Sequence, residues 1–315
     1  MRQRYVGRSG LKVSRIGLGT LTWGRDTDEH DARDQLTSFL DAGGTLVDTA
    51  VSYGDGASEE TLGSLLDSAV SRDEVVLSSK AGVAPVTGER DTSRRALLKQ
   101  LDTSLRRLGV DHLDLWQVQT WLDAIPFEET MSALDDAVRT GRTAYAGVSN
   151  YTGWQTAVAH TWQRAHATTP IVSTQVEYSL LNRDVEHEVI PAAQALGAGV
   201  LAWSPLGRGV LTGKYRTGTP ADSRGASAHF ERFVGVYLGA SSRRVVEAVV
   251  RAAEGLQLSP TEVALAWVRD RPGVSAAIVG ARAAAQLKGA LTVEDVELPD
   301  EIVAALDDVS EGGEE

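Results

Sequence analysis

The chain has 315 residues, 42% of them hydrophobic and 23% charged, the balance of a globular protein with a sizeable core. A formal net charge of -12 argues against nucleic acid or an anionic membrane as partner, since both reward positive surface. The absence of cysteine excludes disulfides and thiolate metal sites and fits a reducing compartment.

Residues Met1 to Gly10 carry no apolar stretch of signal-peptide length, and no run of about 18 apolar residues occurs anywhere. A cytoplasmic location is therefore expected. Met1 to Arg15 read as a short hairpin turning at Ser9-Gly10 that plugs the bottom of the fold. Candidate strands follow at Ile16–Leu18, Leu46–Asp48, Val75–Ser79, Leu113–Val118, Ala144–Val148, Ser173–Val176, Val200–Trp203 and Ala276–Val279. Their near-continuous apolar runs suit strands covered on both faces. Between them lie helical signals. Ser93 is an N-cap for a helix with Leu97, Leu98, Leu101, Leu105 and Leu108 at helical spacing, closed by Gly109. Ser259, Pro260 and Glu262 combine a capping box with proline at the first helical position.

Eight strands alternating with helices predict a (β/α)8 TIM barrel, with a doubly wound open sheet as the alternative. Pro205 to Ala240 shows no clear period and is predicted as a long functional loop after the seventh strand. Ser310 to Glu315 is acidic and reads as a frayed tail. No composition shift marks a linker, so 1–315 is read as one domain.

In a TIM barrel the chemistry sits at the C-terminal ends of the strands. Here those ends carry Asp48, Lys80, Gln119, Ser149-Asn150, Gln175, Trp203-Ser204 and Gly280. Tyr53 lies five residues past Asp48, close enough to fold back over the rim. An unperturbed tyrosine titrates near about 10, too high for efficient proton exchange at neutral pH. A nearby Lys80 would lower that value, and Asp48 would hold the lysine in place. The plainer alternative is a barrel-end ion pair with Tyr53 as an aromatic cover. The stretch Ser204 to Arg224 holds Arg208, Lys214, Arg216 and Arg224 against one acid, Asp222. In so acidic a chain this glycine-rich loop suits a phosphate-bearing ligand, the alternative being an ordinary solvated loop. No Gly-x-Gly-x-x-Gly follows a strand, so a Rossmann site has no support. None of the six histidines has metal-ligand spacing.

The segments Leu46-Val47-Asp48-Thr49-Ala50 with Tyr53-Gly54, Gly147-Val148-Ser149-Asn150-Tyr151, Gln175-Val176-Glu177-Tyr178 and Trp203-Ser204-Pro205-Leu206-Gly207 resemble the aldo-keto reductases. So do Gly209 with Leu211-Thr212-Gly213-Lys214-Tyr215, and Ile278-Val279-Gly280-Ala281-Arg282. The resemblance runs from about Val6 to Val309. It is closest to the branch holding bacterial members and the beta subunits of voltage-gated potassium channels.

The resemblance implies NADP(H) laid across the barrel rim and reduction of a small aldehyde or ketone. Asp48, Tyr53 and Lys80 match three of the catalytic tetrad, with Tyr53 as proton donor. Ser149, Asn150 and Gln175 would hold the nicotinamide carboxamide, and Tyr178 or Trp203 would lie close to the ring or the pyrophosphate. Ser204, Leu206, Gly209 and Lys214 would wrap the pyrophosphate, with Pro205 and Gly207 of the same turn also binding the cofactor. Arg224 would meet the adenosine-side phosphate, and Gly280, Arg282 and Gln286 would complete that end. Trp23, Trp121 and Tyr151, with Tyr53, would line the substrate pocket. Two positions depart from the family pattern. The fourth tetrad member, usually histidine, is Gln119, which donates a hydrogen bond but does not titrate. Gly289-Ala290 stand where Glu-Asn often closes the adenine clamp. These departures keep open an NADP(H)-binding sensing or regulatory subunit with weak turnover. An aldolase or isomerase on the same fold is disfavoured by the basic loop.

Overall fold

The computed structural model describes residues 1–311 except Asp222. The chain starts with an antiparallel hairpin, β1 (Gln3–Tyr5) and β2 (Lys12–Ser14), in which Tyr5 faces Lys12. Eight parallel strands then alternate with helices: β3 (Ile16–Gly19), β4 (Leu46–Asp48), β5 (Val76–Ala81), β6 (Leu113–Val118), β7 (Thr143–Ser149), β8 (Ile171–Glu177), β9 (Gly199–Trp203) and β10 (Val274–Val279). β10 pairs with β3, Ala277 opposite Ile16, so the sheet closes and leaves no barrel edge. This is a TIM barrel; the open-sheet alternative is excluded.

The helices are α1 (Glu29–Asp41), α2 (Ala57–Ser68), α3 (Arg94–Leu108), α4 (Phe127–Arg139), α5 (Gly153–Ala165), α6 (Val189–Leu196), α7 (Glu231–Gly235), α8 (Ala240–Leu256), α9 (Pro260–Arg269), α10 (Ala284–Leu291) and α11 (Asp300–Glu311). Local chemistry sets their ends. Ser93 Oγ accepts from the Ala96 amide at 3.3 Å, and Gly109 leaves α3 in the left-handed region. Ser259 and Glu262 form the expected capping box at α9, with Pro260 in its first turn. Among the described residues, no helix is long and apolar enough to cross a membrane.

The hairpin does plug the bottom of the barrel. Val6, Leu11 and Val13, all buried, pack on Leu46, Leu115, Val172, Leu201, Ala276 and Ile278, residues of five barrel strands. Burying such side chains contributes roughly 1.5–3 kcal/mol each and seals one end against water.

Two expectations need revision. The stretch from Pro205 to Ala240 is not aperiodic: it contains 3-10 turns at Gly207–Thr212 and Arg224–Ala226, and α7. Each piece is too short to print a 3.6-residue pattern, and Gly207, Gly209 and Gly213 at positive φ break the run. Ser310 and Glu311 complete the last turn of α11 rather than fraying; Arg183 Nη1 donates to Ser310 Oγ at 2.9 Å. The rest of the acidic end, 312–315, lies outside the described residues.

Candidate active site

β4 and β5 lie side by side with Asp48 opposite Ser78, and this register brings the ionisable strand ends together. Lys80 Nζ donates to Asp48 Oδ2 at 2.5 Å and to the Thr49 carbonyl at 2.8 Å. The other carboxylate oxygen, Asp48 Oδ1, accepts from Ser78 Oγ at 3.0 Å and from Gln175 Nε2 at 2.9 Å. Beneath this layer Gln117 Nε2 donates to Ser78 Oγ at 3.2 Å, and Ser173 Oγ donates to Gln117 Oε1 at 3.3 Å. Asp48 and Lys80 are 2% and 1% exposed, so each charge depends on the other and on these bonds.

Tyr53 folds back over the rim, as its spacing implied, and its ring centroid lies 5.1 Å from Lys80 Nζ. Burial raises its hydroxyl above the ordinary tyrosine value; Lys80 pulls the value down and Asp48 pushes it up. The lysine thus acts in the expected direction, but burial outweighs it, and the net shift in the ligand-free protein is upward. Burial opposes the Lys80 ammonium too, yet Asp48 and then Tyr53 hold it above the usual lysine value. Such a lysine stays charged beside the tyrosine at any physiological pH.

A cavity of about 650 Å³ opens at this end of the barrel and runs from Tyr53 to α9 and α10. Asp48, Tyr53, Lys80 and Gln119 line one end of it. Gln119 is fixed through its backbone, its amide donating to the Ala81 carbonyl at 2.8 Å and its carbonyl accepting from Asn150 Nδ2 at 3.0 Å. Next come Ser149, Asn150, Gln175 and Trp203. Ser149 Oγ donates to the Gln175 carbonyl at 2.9 Å, and Trp203 Nε1 donates to Asn150 Oδ1 at 3.0 Å. Asn150, Ser204 and Arg208 all hold φ near +50 to +60°, a left-handed backbone that is costly outside glycine and that clusters at functional sites.

The far end is lined by Ser204, Pro205, Leu206, Gly209, Lys214, Arg224, Gly280, Arg282 and Gln286. Gln286 Oε1 accepts from the Arg282 amide at 3.1 Å. Among the described residues no carboxylate bonds Arg224, whose guanidinium carbon sits 5.7 Å from the Phe230 ring centroid. Burial, and then repulsion from Arg282, hold it below the ordinary arginine value. Gly280 gives it room, because a Cβ there would lie 3.2 Å from Arg224 Nη2. Two like charges in a concave, partly dry site form a standing attraction for an anion.

The other basic residues of the loop are already spent. Arg208 makes a two-pronged bond to Glu177, at 2.8 and 2.6 Å, and lies over the Phe233 ring. Arg216 does the same with Glu247, at 2.7 Å on both arms. Asp222, the loop's one acid, lies outside the described residues.

Four expected residues sit off the cavity surface. Gly207 packs under Leu181 and does not line it. Trp23 is 0% exposed, its indole Nε1 held by Gln35 Oε1 at 3.1 Å in the core under α1. Tyr151 is 2% exposed and meets the edge of Trp121 at 5.2 Å. Trp121 stacks on Phe127 at 5.6 Å, with Nε1 donating to Asp123. Conversely, Gly19, Leu21, Thr212, Phe233, Ser259 and Thr261 line the cavity and were not singled out. Ser259 and Thr261 carried a readable signal, since a capped helix N-terminus is itself an anion-favouring end.

A model of the aldo/keto reductase family matches residues 15–311. The chain belongs to this family. It is 34% identical to the uncharacterized oxidoreductase YrpG of Bacillus subtilis over 99% of this chain and 97% of that one. It is also 34% identical to L-glyceraldehyde 3-phosphate reductase of Escherichia coli O157:H7, covering 91% of this chain and 86% of that one. A probable voltage-gated potassium channel subunit beta of rice (Oryza sativa subsp. japonica) is likewise 34% identical, over 89% and 87%. Aldo/keto reductases are oxidoreductases acting on carbonyl compounds, and the tyrosine, lysine and aspartate brought together here suit proton transfer to such a group.

Proposed function

We propose that this chain is an NADPH-dependent carbonyl reductase in which Tyr53 donates the proton. The observation that carries the reading is one continuous cavity with an acid–base cluster at one end and, at the other, a buried guanidinium to which no carboxylate is bonded among the described residues. A reduced pyridine dinucleotide held by the residues of this cavity would supply the hydride. Gln175 uses Nε2 on Asp48 and keeps its carbonyl oxygen to accept from a carboxamide. Ser149 and Asn150 flank it, and Trp203, held by Asn150, walls the same segment. Lys214 and the turn from Ser204 to Gly209 suit the pyrophosphate. Arg224, Arg282 and Gln286 suit the adenosine end and its extra phosphate.

At the reacting end, Tyr53 offers its hydroxyl proton to the carbonyl oxygen of a small aldehyde or ketone. Lys80 stabilises the tyrosinate left behind, and Asp48 keeps Lys80 aimed at it. Gln119 supplies an amide donor to the same oxygen, which orients the substrate without adding a titrating group.

Gln119 in the histidine position also favours a second reading, a cofactor-sensing subunit with slow turnover. Steady-state oxidation of NADPH against a panel of aldehydes and ketones separates the two. Repeated turnover supports the reductase. Oxidation that stops near one equivalent of bound NADPH for every carbonyl supports the sensor.

A further inference from the structure

We propose that Arg107 and Glu59 form a positioning pair that holds the Tyr53 loop against the Lys80 strand and so sets the spacing of proton donor and ammonium. The proposal rests on the reading of Tyr53 as the donor. The loop needs such a hold. Gly54, Asp55 and Gly56, the three residues after Tyr53, all have positive φ, at 55°, 58° and 105°. For Asp55 this backbone is costly, and it persists only where surroundings fix it.

Arg107 of α3 supplies the hold. Its Nη1 donates to the Val51 carbonyl at 3.0 Å and its Nη2 to the Asp55 carbonyl at 3.4 Å, two residues before and two residues after Tyr53. Gly56 admits the guanidinium, since a Cβ there would lie 2.1 Å from Arg107 Cζ. Glu59, 0% exposed, then carries the hold to the neighbouring strand. One of its oxygens, Oε2, accepts from Arg107 Nη1 at 3.5 Å, and the other, Oε1, accepts from Ser79 Oγ at 2.7 Å. Ser79 precedes Lys80 in β5. A continuous chain of bonds therefore runs from both sides of Tyr53, through Arg107 and Glu59, to the residue beside Lys80.

Neither Arg107 nor Glu59 lines the cavity, so their effect on the reaction is indirect, through the Tyr53 loop and the strand that carries Lys80. A planar fork is what two carbonyls and a carboxylate require; a lysine ammonium reaches fewer of them at once.

The test uses the full-length chain with NADPH and an aldehyde it reduces. Arg107→Met should lower kcat by tenfold or more, because misplacing reacting groups by about 1 Å costs on the order of 10²-fold. NADPH affinity should stay within twofold. Arg107→Lys should recover part of the loss. The groups facing Tyr53 are Lys80 and Asp48. A loosened loop lets water back onto the Tyr53 hydroxyl, and because burial outweighs the pull of Lys80, the alkaline fall of kcat should move to lower pH. A merely structural role would lower the active fraction and leave that profile in place.

Should Arg107→Met fail to fold because Glu59 is left unpaired, Glu59→Gln with Arg107→Met removes both charges and carries the same expectations. Tyr53→Phe is measured in parallel. If Tyr53→Phe is inactive while folded Arg107→Met keeps kcat within twofold and an unmoved profile, the positioning pair is wrong. An active Tyr53→Phe overturns the underlying reading instead.

Discussion

Replacing Arg224 by methionine should weaken NADPH binding while leaving NADH binding unchanged. Methionine keeps the apolar stem against Phe230 and removes only the charged head. In the ligand-free protein that head has no carboxylate bonded to it among the described residues, and it is repelled by Arg282. Its removal should therefore cost the empty protein little thermal stability, at most the contact with the Phe230 ring, and the larger effect should appear on binding. A charge-assisted hydrogen bond to a phosphate is worth roughly 1.5–3 kcal/mol. That corresponds to a rise in the NADPH Kd of roughly 10- to 150-fold. NADH lacks the extra phosphate, so wild type should prefer NADPH by at least about tenfold and the variant should lose that preference. Tryptophan fluorescence titration reads both affinities, since Trp203 lines the cavity. Equal weakening of both cofactors, or no weakening of either, would refute the assignment of Arg224 to that phosphate. A larger fall in the melting temperature of the ligand-free variant would show that the guanidinium has a structural partner.

Three further outcomes follow from the same geometry. Gln119→Ala should lower turnover, because the donor to the developing oxyanion disappears, whereas Gln119→His should keep or raise activity on unactivated ketones; unchanged kcat and KM for Gln119→Ala across every carbonyl would remove Gln119 from the site. For carbonyl reduction, which needs protonated Tyr53, kcat should be flat through the histidine range near about 6.5 and fall only as pH rises past the ordinary tyrosine value of about 10, because burial raises this hydroxyl; a pH–rate profile with an ionisation near neutrality contradicts this. Asp135 accepts from the Thr169 amide at 2.8 Å and its hydroxyl at 2.9 Å; burial raises its carboxyl, but these bonds, with Arg139 beside it, outweigh burial and hold it below the usual range. A lowered folded-state pKa gives stability that is present above the unfolded value, about 3.9, and is lost as pH falls through the folded one. Denaturant titration of Asp135→Ala should therefore show a loss of about 1.5–3 kcal/mol at pH 7 that shrinks below about pH 4; a pH-independent loss assigns the effect to packing.

That Asp48 and Lys80 share one rim was legible from the strand ends alone. Asp48 and Lys80 close short apolar runs, and parallel pairing of neighbouring strands leaves them side by side. What the sequence hid is set by tertiary partners. Arg208 and Arg216 look like phosphate ligands by composition. Their carboxylates, Glu177 and Glu247, each lie 31 positions away, and nothing local announces them. The same holds for burial of Trp23: its bond to Gln35 depends on how α1 packs, so the indole turns into the core rather than the cavity. Tyr53 shows the limit in energetic form. Proximity to Lys80 was readable, but the loss of water around the hydroxyl is a property of the assembled rim. The short helical turns between Pro205 and Ala240 escaped for want of length, since a single turn has no period to detect.

The central claim is that Tyr53 gives up the proton during hydride transfer to a carbonyl. Single-turnover oxidation of pre-bound NADPH, followed after mixing with an aldehyde, tests it directly in Tyr53→Phe against wild type. General acids typically contribute about 10²- to 10⁴-fold, so the variant should bind NADPH as tightly as wild type yet oxidise it at least about 100-fold more slowly. A Tyr53→Phe protein that oxidises bound NADPH within twofold of the wild-type rate would contradict the account.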